Sequence, residues 1–108
     1  MAEFLETIAL DRLRPGKGKV VRVAGKDVAL FNVEGVIYAL DDACPHAGVS
    51  LGSSKLRGNI VTCRGHGFGY DVTTGQCVNI VGLRAPTYEV KIADGKILVS
   101  LRSTSPIG

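Results

Sequence analysis

The chain has no tryptophan and only three phenylalanines and three tyrosines. A nucleic-acid surface normally combines a dense basic stripe with stacking aromatics, so the sequence argues against that class. Net charge is +3, and the nearest thing to a cluster is Arg12, Arg14, Lys17, Lys19 and Arg22. An acidic protein partner is the more natural use of so mild an excess. No apolar run approaches the roughly 20 residues of a membrane-spanning helix, and no membrane association is expected. Met1–Leu10 lacks a basic segment followed by a long apolar one, so no signal peptide is expected and a cytoplasmic location is. Cysteine numbers only three. An odd count in a reducing compartment reads as ligands or thiols rather than disulfides. Also missing are a phosphate loop, a flavin or nicotinamide fingerprint, and a Ser/His/Asp set with a histidine to spare. No small-molecule substrate of its own, and no catalysis by the chain alone, is therefore expected.

What is present is glycine, fourteen residues of it, among short runs of Val, Ile and Leu. That texture predicts an all-β protein. Strands are expected at Phe4–Ile8, Lys19–Val23, Val28–Val33, Val36–Leu40, Ile60–Thr62, Tyr88–Ile92 and Ile97–Leu101. The period-two alternation of Lys19–Val23 marks a half-buried strand, and the unbroken apolar run Val28–Val33 marks one buried on both faces. Ala24-Gly25, Glu34-Gly35 and Asp94-Gly95 supply hairpin turns. Asp11–Arg14 offers at most one helical turn. A single domain is expected over residues 1–102, with antiparallel sheets in a sandwich or barrel-like arrangement. A small subdomain over about residues 41–76 interrupts it, and 103–108 read as a loose tail.

Inside that subdomain, Cys44-x-His46 is followed, after residues 47–62, by Cys63-x-x-His66. Both histidines of the chain and two of its three cysteines fall here. Singly, each has a bland reading as a small buried thiol or a polar imidazole. Together they form two pairs of the same polarity in Gly- and Pro-rich segments, which points to one shared four-ligand centre. Gly48, Gly52, Gly65, Gly67 and Gly69 permit unusual torsions and close approach, so that peptide N–H groups can point at sulfur. Zinc suits two thiolates and two imidazoles, although zinc fingers pair Cys with Cys and His with His. A two-iron cluster uses the mixed pairs well, with thiolates on one iron and imidazoles on the other.

The stretch C-P-H-A-G…C-R-G-H-G-F-G-Y-D resembles the Rieske [2Fe–2S] family, whose signature is C-x-H…C-x-x-H, and the likeness extends over nearly the first hundred residues. It is closest to the soluble Rieske-type ferredoxins of oxygenase systems. The resemblance implies a Rieske-type fold and one [2Fe–2S] cluster per chain. By it, Cys44 and Cys63 hold the buried iron while His46 and His66 hold the outer one. Such a cluster is formally neutral when oxidised, whereas an all-cysteine cluster starts doubly negative, so histidine ligation raises the potential.

Pro45, Gly48, Gly65, Gly67, Phe68 and Tyr70 then surround the cluster. High-potential members carry a disulfide whose cysteines match Val49 and Gly65, and a serine matching Phe68. Neither feature exists here, which lowers the expected potential. Tyr70 matches a tyrosine that in some relatives donates to a cysteine sulfur, although a plain buried aromatic is an equal reading. The potential is expected in the lower part of the family's span, roughly −150 to +50 mV. Cys77 has no family role and reads as a small buried residue.

The function this resemblance implies is one-electron transfer from a flavin reductase to a terminal oxygenase or similar enzyme, by a monomer. Partner docking is expected around Pro45, Ala47, Arg64 and Phe68, with Arg64 steering the approach. The competing expectations are a small Rieske subunit of a nitrite reductase and a structural zinc module.

Overall fold

The computed structural model describes residues 3–45, 48–65 and 67–103; His46, Ala47 and His66, all anticipated as ligands or docking residues, lie outside these. Nine strands form among the described residues: β1 (Phe4–Ala9), β2 (Gly18–Val23), β3 (Lys26–Val33), β4 (Val36–Asp41), β5 (Lys55–Arg57), β6 (Ile60–Thr62), β7 (Gly69–Asp71), β8 (Thr87–Ala93) and β9 (Lys96–Ser103). A 3-10 turn over Leu10–Arg12 replaces the single helical turn expected one residue later.

Six strands make one antiparallel sheet in the order β1-β9-β8-β4-β3-β2. Its two edge strands, β1 and β2, approach each other, so the sheet nearly closes on itself. The remaining strands form a separate sheet, β5-β6-β7. The expected barrel-like body with a small inserted subdomain is what the chain builds.

Local chemistry sets the registers. Ala24-Gly25, Glu34-Gly35 and Asp94-Gly95 all have positive φ at both positions. They join Val23 to Lys26, Val33 to Val36 and Ala93 to Lys96 as paired residues. That is the two-residue hairpin turn whose twist matches the strands it connects.

Strand β3 explains the layering. Val28 and Leu30 point into the barrel with Val21, Val23, Ile37, Ala39, Ile97 and Val99. Ala29 and Phe31 point the other way, into a second core with Leu40, Leu51, Val61, Tyr70, Val72 and all three cysteines. A strand sandwiched between two cores must be apolar at successive positions, which is why its sequence does not alternate. Each fully buried side chain of this kind contributes roughly 1.5–3 kcal/mol. Asn32 is buried in the same strand, but its Nδ2 donates to Leu13 O (2.8 Å) and its Oδ1 accepts from Gly35 N (2.8 Å).

Strand β5 has no strand signal in its Lys-Leu-Arg sequence; it exists by pairing with β6, Lys55 opposite Thr62 and Arg57 opposite Ile60. At the C-terminal end β9 continues through Ser103, one residue into the expected tail, and residues 104–108 lie outside the described structure.

Candidate metal centre

Two loops leave the small sheet and the β4 end of the large one. The first follows β4 and carries Cys44; the second follows β6 and carries Cys63. They share one hydrogen-bond pattern. Cys44 N donates to Val49 O (2.9 Å) and Gly48 N donates back to Cys44 O (2.7 Å). Cys63 N donates to Phe68 O (2.8 Å) and Gly67 N donates back to Cys63 O (2.9 Å). In each loop the glycine four residues beyond the cysteine has positive φ, 73° at Gly48 and 76° at Gly67. A side chain with a Cβ is strained there, so this glycine is what turns the chain back.

Both sulfurs are driven inward. Cys44 is 2% exposed and Cys63 is 1%, and both pack in the core shared with Tyr70 and Val61. Neither is in a disulfide. Tyr70, fully buried on β7, brings its hydroxyl to 3.3 Å from Cys44 Sγ. Burial first, and the Cys44 contact second, hold the Tyr70 hydroxyl above its ordinary pKa. It therefore stays protonated and is able to donate to sulfur. Gly65 N donates to Cys63 Sγ at 3.4 Å, the kind of peptide contact that the glycine-rich loop was expected to provide.

This donor set fits a pair of metal-bound thiolates. A buried thiolate is costly unless hydrogen bonds or a cation compensate its charge. Each sulfur here already faces a donor, and the loops that carry them project outward. Around them Pro45, Gly48, Arg64, Gly65 and Gly67 are exposed, while Phe68 is half-buried against the core. Arg64 reaches back to Ser53 O in a long 3.5 Å contact.

Two supporting side chains were not anticipated from the sequence. Asp42 is buried, and its Oδ1 accepts from Gly52 N (2.8 Å) and Ser50 Oγ (3.0 Å). With Asp42 O accepting from Leu51 N (2.7 Å), it pins the base of the first loop. Asn79 Oδ1 accepts from Gly69 N (2.7 Å), tying a third loop to the exit of the second. That third loop carries Val78, Ile80 and Val81, all exposed. An asparagine inside an apolar run, shortly before Gly82, was the available clue.

Cys77 is 3% exposed, bridges Tyr70 across the chain and donates its N–H to Leu83 O (2.9 Å). It sits in the core as the small residue it was expected to be.

Comparison with known proteins adds the following. Residues 3–96 match the family model of the Rieske [2Fe-2S] domain. The ferredoxin component of the naphthalene 1,2-dioxygenase system of Pseudomonas putida is 34% identical over 100 residues, covering 92% of this chain and 96% of that one. Among solved structures, a chain from the complex of reduced oxygenase and oxidized ferredoxin in carbazole 1,9a-dioxygenase superimposes with a TM-score of 0.84 at 27% identity, covering 94% and 96% of the two chains. A chain from Mycobacterium tuberculosis named for an NADH-dependent nitrite reductase small subunit superimposes at 0.82 with 24% identity, covering 93% and 96%, a likeness of fold alone.

Proposed function

The chain belongs to the Rieske [2Fe–2S] domain family, and from that premise we propose that it is a one-electron carrier passing electrons from a reductase to a terminal oxygenase in the cytoplasm. The observation that carries this reading is the pair of matching loops, which bury two thiols in one core and give each a hydrogen-bond donor. Its whole-length likeness to a dioxygenase-system ferredoxin supports the same role.

In this reading Cys44 and Cys63 would hold one iron, and His46 and His66 the other. When bound, the cluster supplies a single-electron redox couple. The protein's part is to exclude water from the sulfur side and to fix its charge. Leu51, Val61 and Tyr70, all fully buried, make that side dry. Tyr70 and Gly65 direct protons of hydrogen bonds at the two sulfurs, which favours the more negative state. Asp42 and the glycines at 48 and 67 hold the loops rigid, so that little reorganisation accompanies electron gain. Pro45, Arg64 and Phe68 surround the exit and are available to a partner.

The nitrite reductase likeness lends the alternative subunit reading no chemistry of its own. The deciding experiment is the visible and EPR spectrum of anaerobically purified protein before and after dithionite, with metal analysis. About two irons per chain and a reduced signal characteristic of mixed N/S ligation are expected. A colourless protein with one zinc would sink the proposal.

A further inference from the structure

Resting on the carrier reading, we propose that the outward face of the small sheet docks the redox partner, and that the partner presents carboxylates there. Leu56 and Val61 turn toward the core, so Lys55, Arg57 and Thr62 turn outward. With Ser53 and Arg64 they border an open cleft of about 620 Å³ that has Cys63 in its wall. Arg64 and Gly67 of the cysteine loop border it too, so a molecule seated in the cleft lies beside the proposed cluster site.

The cations of this face form no ion pair among the described residues. Arg22, Lys26 and Lys96 each have a carboxylate partner, at 3.1, 3.4 and 2.8 Å. Among the described residues Lys55, Arg57 and Arg64 have none, and no Asp or Glu lines the cleft. Asp71, a carboxylate further along the same face, is held by Asn59 and by the Thr73 amide and hydroxyl and keeps its charge, so the three cations leave the face net positive. Basic residues on an edge strand also discourage edge-to-edge pairing. That accounts for Lys55 and Arg57 on β5, but not for Arg64, which lies in the cysteine loop.

Beyond the cations the face becomes apolar. Thr62 pairs with Gly69, where an added Cβ would come within 3.0 Å of both Ile60 Cγ2 and Val78 Cγ2. The missing side chain lets Val78 close over β7, and Val78 and Val81 remain 57% and 96% exposed. An apolar strip flanked on one side by unpaired cations complements a partner with an apolar centre and an acidic flank.

Two measurements test this. Octaglutamate added to the 15N-labelled oxidised holoprotein should shift the amides of Lys55, Arg57 and Thr62 saturably and leave β1 and β9 unmoved, while octalysine should shift none of them. Dithionite-reduced holoprotein should be oxidised by ferricyanide, an anion, about tenfold faster at low than at high ionic strength, and by a cationic cobalt(III) phenanthroline complex with the opposite slope. The slopes should exchange in Lys55→Glu/Arg57→Glu and flatten in Lys55→Gln/Arg57→Gln. Octaglutamate shifts scattered over the surface, or ferricyanide slopes unchanged in both variants, would overturn the docking face. A protein that accepts no electron from dithionite would instead remove the carrier reading, and the octaglutamate titration would then judge the cationic face independently.

Discussion

Tyr70→Phe isolates one hydrogen bond at the sulfur. The ring is fully buried among Leu51, Val61 and Val72, so removing only the hydroxyl leaves the packing in place. What disappears is the 3.3 Å contact with Cys44 Sγ. A hydrogen bond to a charged acceptor contributes about 1.5–3 kcal/mol, and here its full strength is not what matters. The potential responds only to the difference between the bond to the reduced and to the oxidised centre. Taking that difference as about 1 kcal/mol, and a one-electron couple as moving 59 mV per tenfold change, the potential should fall by about 40 mV.

The direction follows from charge. The reduced centre is the more negative, so it accepts the hydroxyl's hydrogen bond more strongly and loses more when the bond is removed. A spectroelectrochemical titration of wild type and variant, side by side at neutral pH, measures the shift. Stability should fall by no more than that bond's worth, about 1.5–3 kcal/mol in urea unfolding, since no cavity opens. A variant potential within about 10 mV of wild type, or above it, would show that the hydroxyl does not act on the sulfur and that Tyr70 serves only to fill the core.

Cys44→Ser and Cys63→Ser should each abolish the visible spectrum, whereas Cys77→Ala should keep it and cost about 1 kcal/mol of stability, read by iron content and urea unfolding. Asp42→Ala removes the acceptor for Gly52 N and Ser50 Oγ; a loss of about 1–3 kcal/mol and faster bleaching of the cluster in chelator are expected. At alkaline pH the hydroxyl of Tyr88, held above its ordinary 10.0 by burial and by Asp41, keeps its proton in the folded chain after the unfolded chain has lost it. Ionising that buried phenol is unfavourable in the folded chain, so stability is present below about pH 10 and lost as pH rises through the folded value. The thermal midpoint should therefore decline from about pH 10 upward, and Tyr88→Phe should soften that decline.

The parts of this molecule that were legible in its sequence are those whose local chemistry and tertiary role agree. The hairpins at Ala24-Gly25, Glu34-Gly35 and Asp94-Gly95 need positive φ, and each places glycine at its second position, where φ is largest. The continuous apolar run of β3 was readable as a doubly buried strand because two cores do flank it. Strand β5 was not readable: three residues, two of them charged, become a strand only because β6 offers an edge. The same holds for Asp42, whose carboxylate closes the first loop through contacts to Ser50 and Gly52 that nothing in its immediate neighbours announces.

The cysteine loops are the instructive case. Their Cys and His residues were visible as a pattern, but the backbone frame that carries the cysteines was not. Each loop is closed by the same two backbone hydrogen bonds around a glycine in the left-handed region, although the anticipated histidine sits two residues after Cys44 and three after Cys63. One backbone frame thus carries two different Cys-to-His spacings in the sequence. The frame fixes where the sulfur lies. Conservation of the frame matters more to the thiols, which need buried donors, than to groups at the exposed tips. A glycine-to-alanine change at Gly48 or Gly67 should therefore disturb sulfur burial first. Circular dichroism in the sulfur-to-iron bands should report it before any loss of overall fold, and retention of those bands with unchanged intensity in both variants would argue against the frame.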